Sequence, residues 1–308
     1  MNPIKMTAKP AANRMIPILV TIYDSRIFGI QTNKEPRVPP NFTSENDKWS
    51  VNSSIRDMNR IILSKISTLP PIDLTKETAT ARTQKWTQRI GELQHLLYAE
   101  KKQALLVVLQ GMDGSGKDGG VKNVFEECSP SGIMVHGFKK PTVEELEYDF
   151  LWRVHKVTPK KGMINIFVRS HYEDVLVPRV HEWISRKRTR NRIEAINAFE
   201  ELLGSENATI VLKFYLHISQ KEQKRQLQER IDNPAKQWKH NPADFKEAEH
   251  WDDYMLAYED VINESAIPWH IVPVDKRWYR DYLMARIVCE TLEKMKPRLP
   301  TFKTGVKR

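Results

Sequence analysis

Short apolar runs recur along the chain between residues 104 and 274. The clearest is Ala104–Gln110, which is too short for a typical helix and is followed by the helix breaker Gly111. Such runs are typical of parallel strands that are buried on both faces. Four more runs have the same character: Ile133–Phe138, Ile164–Arg169, Thr209–His217 and Trp269–Val274. The pattern predicts five parallel strands.

Helical patterns precede, separate or follow these strands. The first runs from about Arg82 to Glu100. The others are Val121–Glu127, Val143–Val157, His171–Ile184, Arg192–Leu203 and Arg277–Lys294. Strands that alternate with helices indicate a parallel sheet covered on both faces. We therefore predict an α/β fold, a three-layer α/β/α sandwich with a five-stranded parallel sheet.

Two segments depart from this alternation. The polar segment Ser219–Ser265 is longer than one crossover helix, so we predict a helical lid at about residues 219–265. Residues 1–80 carry eight of the 18 prolines and no sustained periodicity, which predicts an irregular extension outside the catalytic core. The expected organisation is an extension at 1–80, a catalytic domain at 81–300 and a basic tail at 301–308.

A glycine-rich motif follows the first strand. Residues 111–117 read GMDGSGK and match G-x-x-x-x-G-K between a strand and a helix. In this context the loop's N–H groups bind phosphate oxygens, aided by the helix N-terminus and by a lysine. The alternative, an ordinary glycine-rich turn, is disfavoured by the strand and helix around it. The predicted phosphate-binding residues here are Gly114, Gly116, Lys117, Asp118 and Gly119.

Two acids in or beside this loop are unusual. Asp118 stands where Ser or Thr normally contacts Mg²⁺, and Asp113 lies inside the loop. Carboxylates near phosphate are expected if they hold Mg²⁺, which prefers oxygen ligands. We predict Asp113 as the metal ligand and Mg²⁺ as the cofactor. Asp118 either joins the phosphate site or only caps the helix.

A basic residue stands at the predicted end of the third strand. Ligands of open α/β sheets bind beyond the carboxyl ends of strands, so Arg169 is a candidate to bind phosphate during catalysis. Its alternative role is a surface ion pair. We interpret the neighbouring His171 as structural, because phosphoryl transfer depends mainly on positioning and charge neutralisation.

The composition limits the classes of ligand and the cellular setting that we expect. The net charge is +10 and the pI is about 9.4, which favours polyanionic ligands such as nucleic acid, anionic lipid, nucleotides or polyphosphate. Two cysteines do not make a disulfide framework, so we expect a reduced, cytoplasmic setting. No apolar run reaches the ~18 residues that span a bilayer, so no membrane association is predicted.

Several stretches resemble the polyphosphate kinase 2 family, in the right order from about Arg82 to Pro300. The phosphate loop at 111–119 is similar to that of the family. So are the sequences EELEYDFLWR at 144–153, FVRSHYEDVL at 167–176, LQERIDNPAKQWK at 227–239, WDDY at 251–254, WHIVPVD at 269–275 and WYR at 278–280.

The resemblance implies a P-loop kinase-like enzyme that transfers the terminal phosphoryl of inorganic polyphosphate to ADP. The SHYED form at 170–174 resembles members that also accept AMP, and it implies that Glu173 contacts the base. The family resemblance also implies a reversible, Mg²⁺-dependent reaction with adenine nucleotides, and it leaves open whether guanine nucleotides are accepted. It further implies that the protein is a homo-oligomer. The phosphate contacts that it adds are Lys122, Arg225, Arg230, Lys236 and Lys239. The family commonly has Asp or Asn where this chain has Val168, which cannot ligate a metal.

Two other classes compete with this interpretation. An ATP-dependent nucleoside monophosphate kinase shares the loop and the lid arginines, but it would normally keep Ser or Thr in place of Asp118. A nucleic-acid-binding module would interleave basic and stacking aromatic residues on an open face. Here the tryptophans mostly lie beside acids, as at 249–253, so we expect no nucleic-acid partner.

Overall fold

The computed structural model describes residues 60–301. Within them, five parallel strands form one sheet in the order β2-β3-β1-β4-β5. Their bounds are β1 Ala104–Gln110, β2 Ile133–Gly137, β3 Ile164–Val168, β4 Thr209–His217 and β5 Trp269–Pro273. The predicted sheet is confirmed, because each strand begins at the predicted residue and ends within one residue of the predicted end.

Helices cover both faces of this sheet. One face carries α1, α2 and α10, which pack on one another, and the other carries α5, α6 and α9. Their bounds are α1 Lys76–Glu100, α2 Lys117–Val124, α3 Val143–Leu146, α4 Trp152–His155, α5 Glu173–Val180, α6 Arg186–Asn207, α7 Gln220–Asp232, α8 Pro242–Glu249, α9 Trp251–Glu264 and α10 Arg277–Met295. The three-layer sandwich is therefore confirmed. None of the described helices is long and apolar enough to cross a membrane.

The central strand organises the core. All seven residues of β1 are buried, because β3 and β4 pair with it on either side. Leu109 pairs with Val168 of β3, and Gln110 pairs with Tyr215 of β4. The carboxyl ends of these strands therefore meet at one edge, where the loops after β1 and β3 lie side by side.

The N-terminal boundary differs from the prediction. Helix α1 begins at Lys76 rather than near Arg82, since the Thr75 side chain caps it by accepting a hydrogen bond from the Thr78 N–H. Leu63 is buried in the core, and its N–H donates to Glu259 of α9 at 2.8 Å. The prediction that the extension reaches residue 80 is therefore wrong for residues 60–80, while residues 1–59 and 302–308 lie outside the described residues.

Several other predicted helices have different bounds, and α2 covers residues 117–124 rather than 121–127. The pattern at 143–157 forms two short helices, because the Asp149 carboxylate accepts the Leu151 N–H and this local bond competes with the helix. Helix α5 covers only residues 173–180 of the predicted 171–184. Helix α6 begins at Arg186 rather than Arg192, because Ser185 caps it.

The predicted lid consists of α7, α8 and α9, and each end of it is tied to the core. At the first end the Ser219 N–H donates to Asp275 Oδ1 at 2.8 Å. At the second end Ser265 Oγ accepts from Trp269 Nε1 at 2.9 Å and lies 3.3 Å from Tyr172 Oη. The first end of the lid thus contacts the loop after β5, whereas the second contacts the first residue of β5 and the turn after β3.

Candidate active site

The glycine-rich loop joins β1 to α2, as the motif predicts. Gly114 and Gly116 have φ values of 83° and 86°, a left-handed conformation that favours glycine. The Lys117 ammonium is buried and donates to the carbonyl oxygens of Gly111 at 2.6 Å and of Met112 at 3.3 Å. Burial lowers the pKa of Lys117, and the Asp113 carboxylate opposes that effect. The loop thus places a cation at the N-terminus of a helix, which suits an anionic ligand.

Two arginines of α10 hold this loop. The Arg277 guanidinium donates to the carbonyl oxygens of Gly114 and Ser115. Arg280 Nη1 donates to the Gly116 carbonyl at 2.8 Å. Burial and the Arg280 charge lower the pKa of Arg277 to about 10. Neither arginine was among the site residues predicted from the sequence, although Arg277 lies four residues beyond the end of β5.

Asp113 and Arg169 form an ion pair at the edge of the sheet. Arg169 Nη2 lies 2.6 Å from Asp113 Oδ1. Although burial favours the neutral acid, the charges of Lys117 and Arg169 lower the pKa of Asp113. Arg169 has a φ of 59°, and such left-handed backbone in a residue other than glycine is strained and is common at functional sites. The predicted catalytic residues Asp113, Lys117 and Arg169 therefore lie together.

A first cavity of about 610 Å³ lies between the glycine-rich loop and the lid. Seven lysines and arginines line it, against three aspartates. This excess of positive charge favours a ligand with several negative charges. The predicted site residues that line it are Asp113, Gly114, Gly116, Lys117, Asp118, Gly119, Arg169, Arg230, Lys236 and Lys239.

Two of the predicted phosphate contacts lie elsewhere. Lys122 is exposed on α2, and neither it nor Arg225 lines the two cavities described here. The Arg225 side chain is 59% exposed and pairs with Glu222 at 2.6 Å, one turn earlier on α7. The structure therefore places these two side chains outside the lining of both cavities.

Asp118 lines the first cavity but does not cap α2. Gly116 is the N-cap residue, and it has no side chain that could accept a hydrogen bond. The Asp118 carboxylate is 76% exposed and lies 3.9 Å from the Lys239 ammonium of the lid. The capping alternative is therefore wrong, and Asp118 faces the lid across the cavity.

A second cavity of about 420 Å³ adjoins the first, and Glu173 lines it. Burial raises the pKa of Glu173, while the charge of Arg169 opposes that rise. In the amide orientation that satisfies all partners, Gln110 donates to Glu173 Oε1 at 2.9 Å. Glu173 thus presents a carboxylate, held from behind by Gln110, to a pocket walled by the lid and α5.

A buried charged network lies behind the turn that carries Arg169 and Glu173. The Lys213 ammonium of β4 lies 2.7 Å from Glu200 Oε2 of α6 and 2.8 Å from Tyr172 Oη. His171 Nε2 lies 3.2 Å from Glu200 Oε1, and none of these side chains is exposed. Burial alone would raise the pKa of Glu200, but the Lys213 charge lowers it. His171 therefore has the structural position that the sequence suggested.

Several cavity residues were absent from the sequence predictions. The sequence signal for them is weak, because spacing alone does not connect residues of other loops, the lid or α10 to the glycine-rich loop. In the first cavity they include Lys139, Gln226, Trp238, Asn241, Asp244 and Arg277. Asp244 pairs with Arg230, so the lid arginine is oriented by a carboxylate that spacing alone did not connect to it.

Comparison with known proteins agrees with this geometry. The family model described as Polyphosphate kinase 2 (PPK2) matches residues 73–300. The chain is 47% identical over 221 residues to the AMP/ADP-polyphosphate phosphotransferase of Meiothermus ruber, covering 71% of this chain and 82% of that protein. It is 38% identical over 234 residues to the ADP-polyphosphate phosphotransferase of Rhodopseudomonas palustris, covering 71% and 80%. The crystal structure of polyphosphate kinase 2 from Arthrobacter aurescens TC1 matches with a TM-score of 0.75 and 36% identity, over 81% of this chain and 93% of that one. This chain belongs to the polyphosphate kinase 2 family.

Proposed function

We propose that this enzyme transfers the terminal phosphoryl group of inorganic polyphosphate to ADP, and also to AMP, in a reversible reaction. One observation carries the proposal. Asp113, Arg169 and Asp244 line both cavities, so the basic first cavity and the Glu173 cavity meet at the Asp113–Arg169 pair. A donor in one cavity and an acceptor in the other would bring their phosphates together at that point.

The first cavity is proposed to bind polyphosphate. A chain of phosphates needs a cation near each charge, and the lining provides cations on the loop, at the strand end and on the lid. The second cavity is proposed to bind the acceptor nucleotide, with Glu173 accepting a hydrogen bond from the exocyclic amine of adenine. The relatives named above act on polyphosphate with AMP or ADP, according to their names, which supports this division.

Positioning and charge neutralisation account for the chemistry. Phosphoryl transfer needs little covalent participation from the protein. Lys117 and Arg169 would stabilise the negative charge that spreads over the transferring group. Arg230, Lys236 and Lys239 would close over the donor with the lid, and this closure excludes water that would otherwise hydrolyse it.

The donor atoms of the first cavity fit Mg²⁺ shared with phosphate. Kinase sites usually hold Mg²⁺ through one or two carboxylates, with substrate phosphates and water completing the shell. Asp113 and Asp118 both line the cavity, and the described residues contain no group of three or more potential metal-binding side chains. We propose Asp113 as the main protein ligand, and the ion would neutralise phosphate charge when bound.

The decisive experiment offers the purified protein ADP and polyphosphate with Mg²⁺ and separates the products. ATP is the expected product, and AMP in place of ADP should give ADP and then ATP. A protein that makes no ATP from polyphosphate with any divalent metal, yet forms ADP from ATP and AMP, would instead be a nucleoside monophosphate kinase.

Two arginines of α7 offer a matched comparison for the same assay. Arg230→Ala removes a cation that lines the first cavity, whereas Arg225→Ala removes an exposed one. The apparent affinity for polyphosphate should fall much more in the first variant. Equal losses would indicate that the cavity does not define the donor site.

Other features also remain proposals. We propose a cytoplasmic homo-oligomer with residues 1–59 as an extension outside the catalytic domain, and no nucleic-acid partner. Sedimentation of the full chain would test the assembly, and kinetics with GDP would test whether guanine nucleotides are accepted.

A further inference from the structure

An exposed tryptophan stands at the second cavity. Four aromatic or imidazole side chains line it: His181, Trp183, Tyr254 and Tyr258. The two tyrosines are buried and His181 is partly buried, whereas Trp183 is 69% exposed. An exposed ring at the wall of a cavity can pack against the flat face of a ligand. Trp183 is therefore the aromatic surface that this cavity offers to a ligand.

The backbone fixes this tryptophan just beyond the end of α5. The N–H groups of Trp183 and Ile184 both donate to the Pro178 carbonyl, at 2.8 and 3.3 Å. Glu182 has a left-handed φ of 55°, which turns the chain sharply before Trp183. The position is thus set by a closed turn rather than by a free loop.

The indole ring is also supported from one side. It stacks on the His181 imidazole, with ring centroids 5.0 Å apart and planes inclined by 21°. His181 Nε2 in turn lies 2.9 Å from Glu247 Oε1 on the lid helix α8. One face of the indole therefore rests on a ring that a carboxylate orients, while most of its surface stays accessible. Such a preorganised aromatic side chain loses little conformational freedom when a ligand packs on it.

We infer that Trp183 is a specificity-determining residue that stacks on the base of the acceptor nucleotide. This inference rests on the proposed function, because it requires the second cavity to bind that nucleotide. Glu173 and Trp183 line the same cavity and would divide recognition. The Glu173 carboxylate would accept a hydrogen bond from the edge of the base. The Trp183 indole would stack on the flat face of the base, so its contribution depends on the area of the base and not on the groups along its edge. Trp183 thus favours purines over pyrimidines without separating adenine from guanine.

Binding measurements test the inference without relying on turnover. Affinities for ADP, GDP and CDP are measured by titration calorimetry in the unsubstituted protein, Trp183→Ala and Trp183→Leu, because leucine keeps an apolar side chain but offers no ring. Leu256→Ala removes an exposed apolar side chain of α9 that lines neither cavity and serves as the control. The Trp183 variants should bind ADP and GDP about tenfold more weakly and CDP less so, as expected for one lost stacking contact.

Kinetics supply a second readout. The KM for ADP should rise with little change in kcat, which marks the loss of an interaction made equally in the ground and transition states. ADP affinity within about twofold of normal in Trp183→Ala, or restored by leucine, overturns the inference, as does an equal loss for all three nucleotides. A changed sedimentation coefficient with normal ADP affinity would instead assign Trp183 to contact between chains. If the proposed function is wrong, the unsubstituted protein makes no ATP from ADP and polyphosphate, and this result is distinct from any effect of the Trp183 variants.

Discussion

Replacing Lys213 by methionine should destabilise the fold by about 3–5 kcal/mol, because it leaves a buried carboxylate without its cation. Lys213 and Glu200 are both fully buried, and their charged atoms are 2.7 Å apart. After the substitution, Glu200 keeps only the side chains of Tyr172 and His171 as partners. This loss of stability is far larger than the contribution of an exposed ion pair, which is typically below about 1 kcal/mol.

Thermal unfolding measures this loss. For a domain of this size each kcal/mol shifts the Tm by about 2–4 °C, so Lys213→Met should lower it by about 6–20 °C. The double variant Lys213→Met with Glu200→Gln should recover most of that loss, because no uncompensated charge remains. Arg89→Met removes an exposed arginine paired with the exposed Glu92 and should shift the Tm by only a few degrees.

The pH dependence gives a further check on the cause. In the native protein the Lys213 charge lowers the pKa of Glu200 against the effect of burial. Without Lys213, burial should raise that pKa above its unfolded value, so the variant loses stability as the pH rises and regains it as Glu200 binds a proton. The deficit should therefore be smaller near about pH 5 than near about pH 8. Equal Tm values for the single and double variants, or a pH-independent deficit, would refute the reasoning.

Three further predictions concern the proposed active site. Lys117→Ala should remove about 3–4 kcal/mol of transition-state stabilisation and slow kcat by two to three orders of magnitude with the fold intact; near-normal turnover would exclude the loop as the catalytic site. Asp113→Asn should raise the Mg²⁺ concentration needed for half-maximal rate, whereas Val168→Asn should leave the rate unchanged or increase it, because it adds an oxygen donor to the lining of the first cavity. The KM for polyphosphate should rise with ionic strength more steeply than the KM for ADP, since exposed charges are screened; equal slopes would contradict a basic donor channel.

The sheet and the glycine-rich loop were predictable because their causes are local. A strand buried on both faces needs an uninterrupted apolar run, and the run at 104–110 matches β1 at both ends. The lysine at 213 interrupts the run of β4 yet is fully buried. A lysine inside a buried strand implies a buried carboxylate that pairs with it. Nothing in the neighbouring sequence identifies Glu200 as that carboxylate.

The remaining site residues depend on contacts between distant parts of the chain. Arg277 meets the loop across more than 160 residues of sequence, and Asp244 meets Arg230 through the fold of the lid. The reverse also holds for Arg225, which has the residue type and spacing of a lid cation but pairs with Glu222 on its own helix. Residue type predicted which chemistry was available, whereas the orientation of each helix decided which side chains reach the cavity.

The hydrogen bonds from α10 influence the direction in which the peptide groups of the glycine-rich loop point. In a trans peptide the C=O and the following N–H are directed oppositely across the plane. Arg277 binds the Ser115 carbonyl and Arg280 binds the Gly116 carbonyl, so the N–H groups of Gly116 and Lys117 are turned to the opposite side. The Gly116 carbonyl also accepts a hydrogen bond from the Gly120 N–H of α2 at 3.0 Å, so α2 and the two guanidinium groups favour the same peptide orientation. The polarity of the loop, and hence its preference for anions over cations, is therefore reinforced by a helix whose sequence lies far outside the motif.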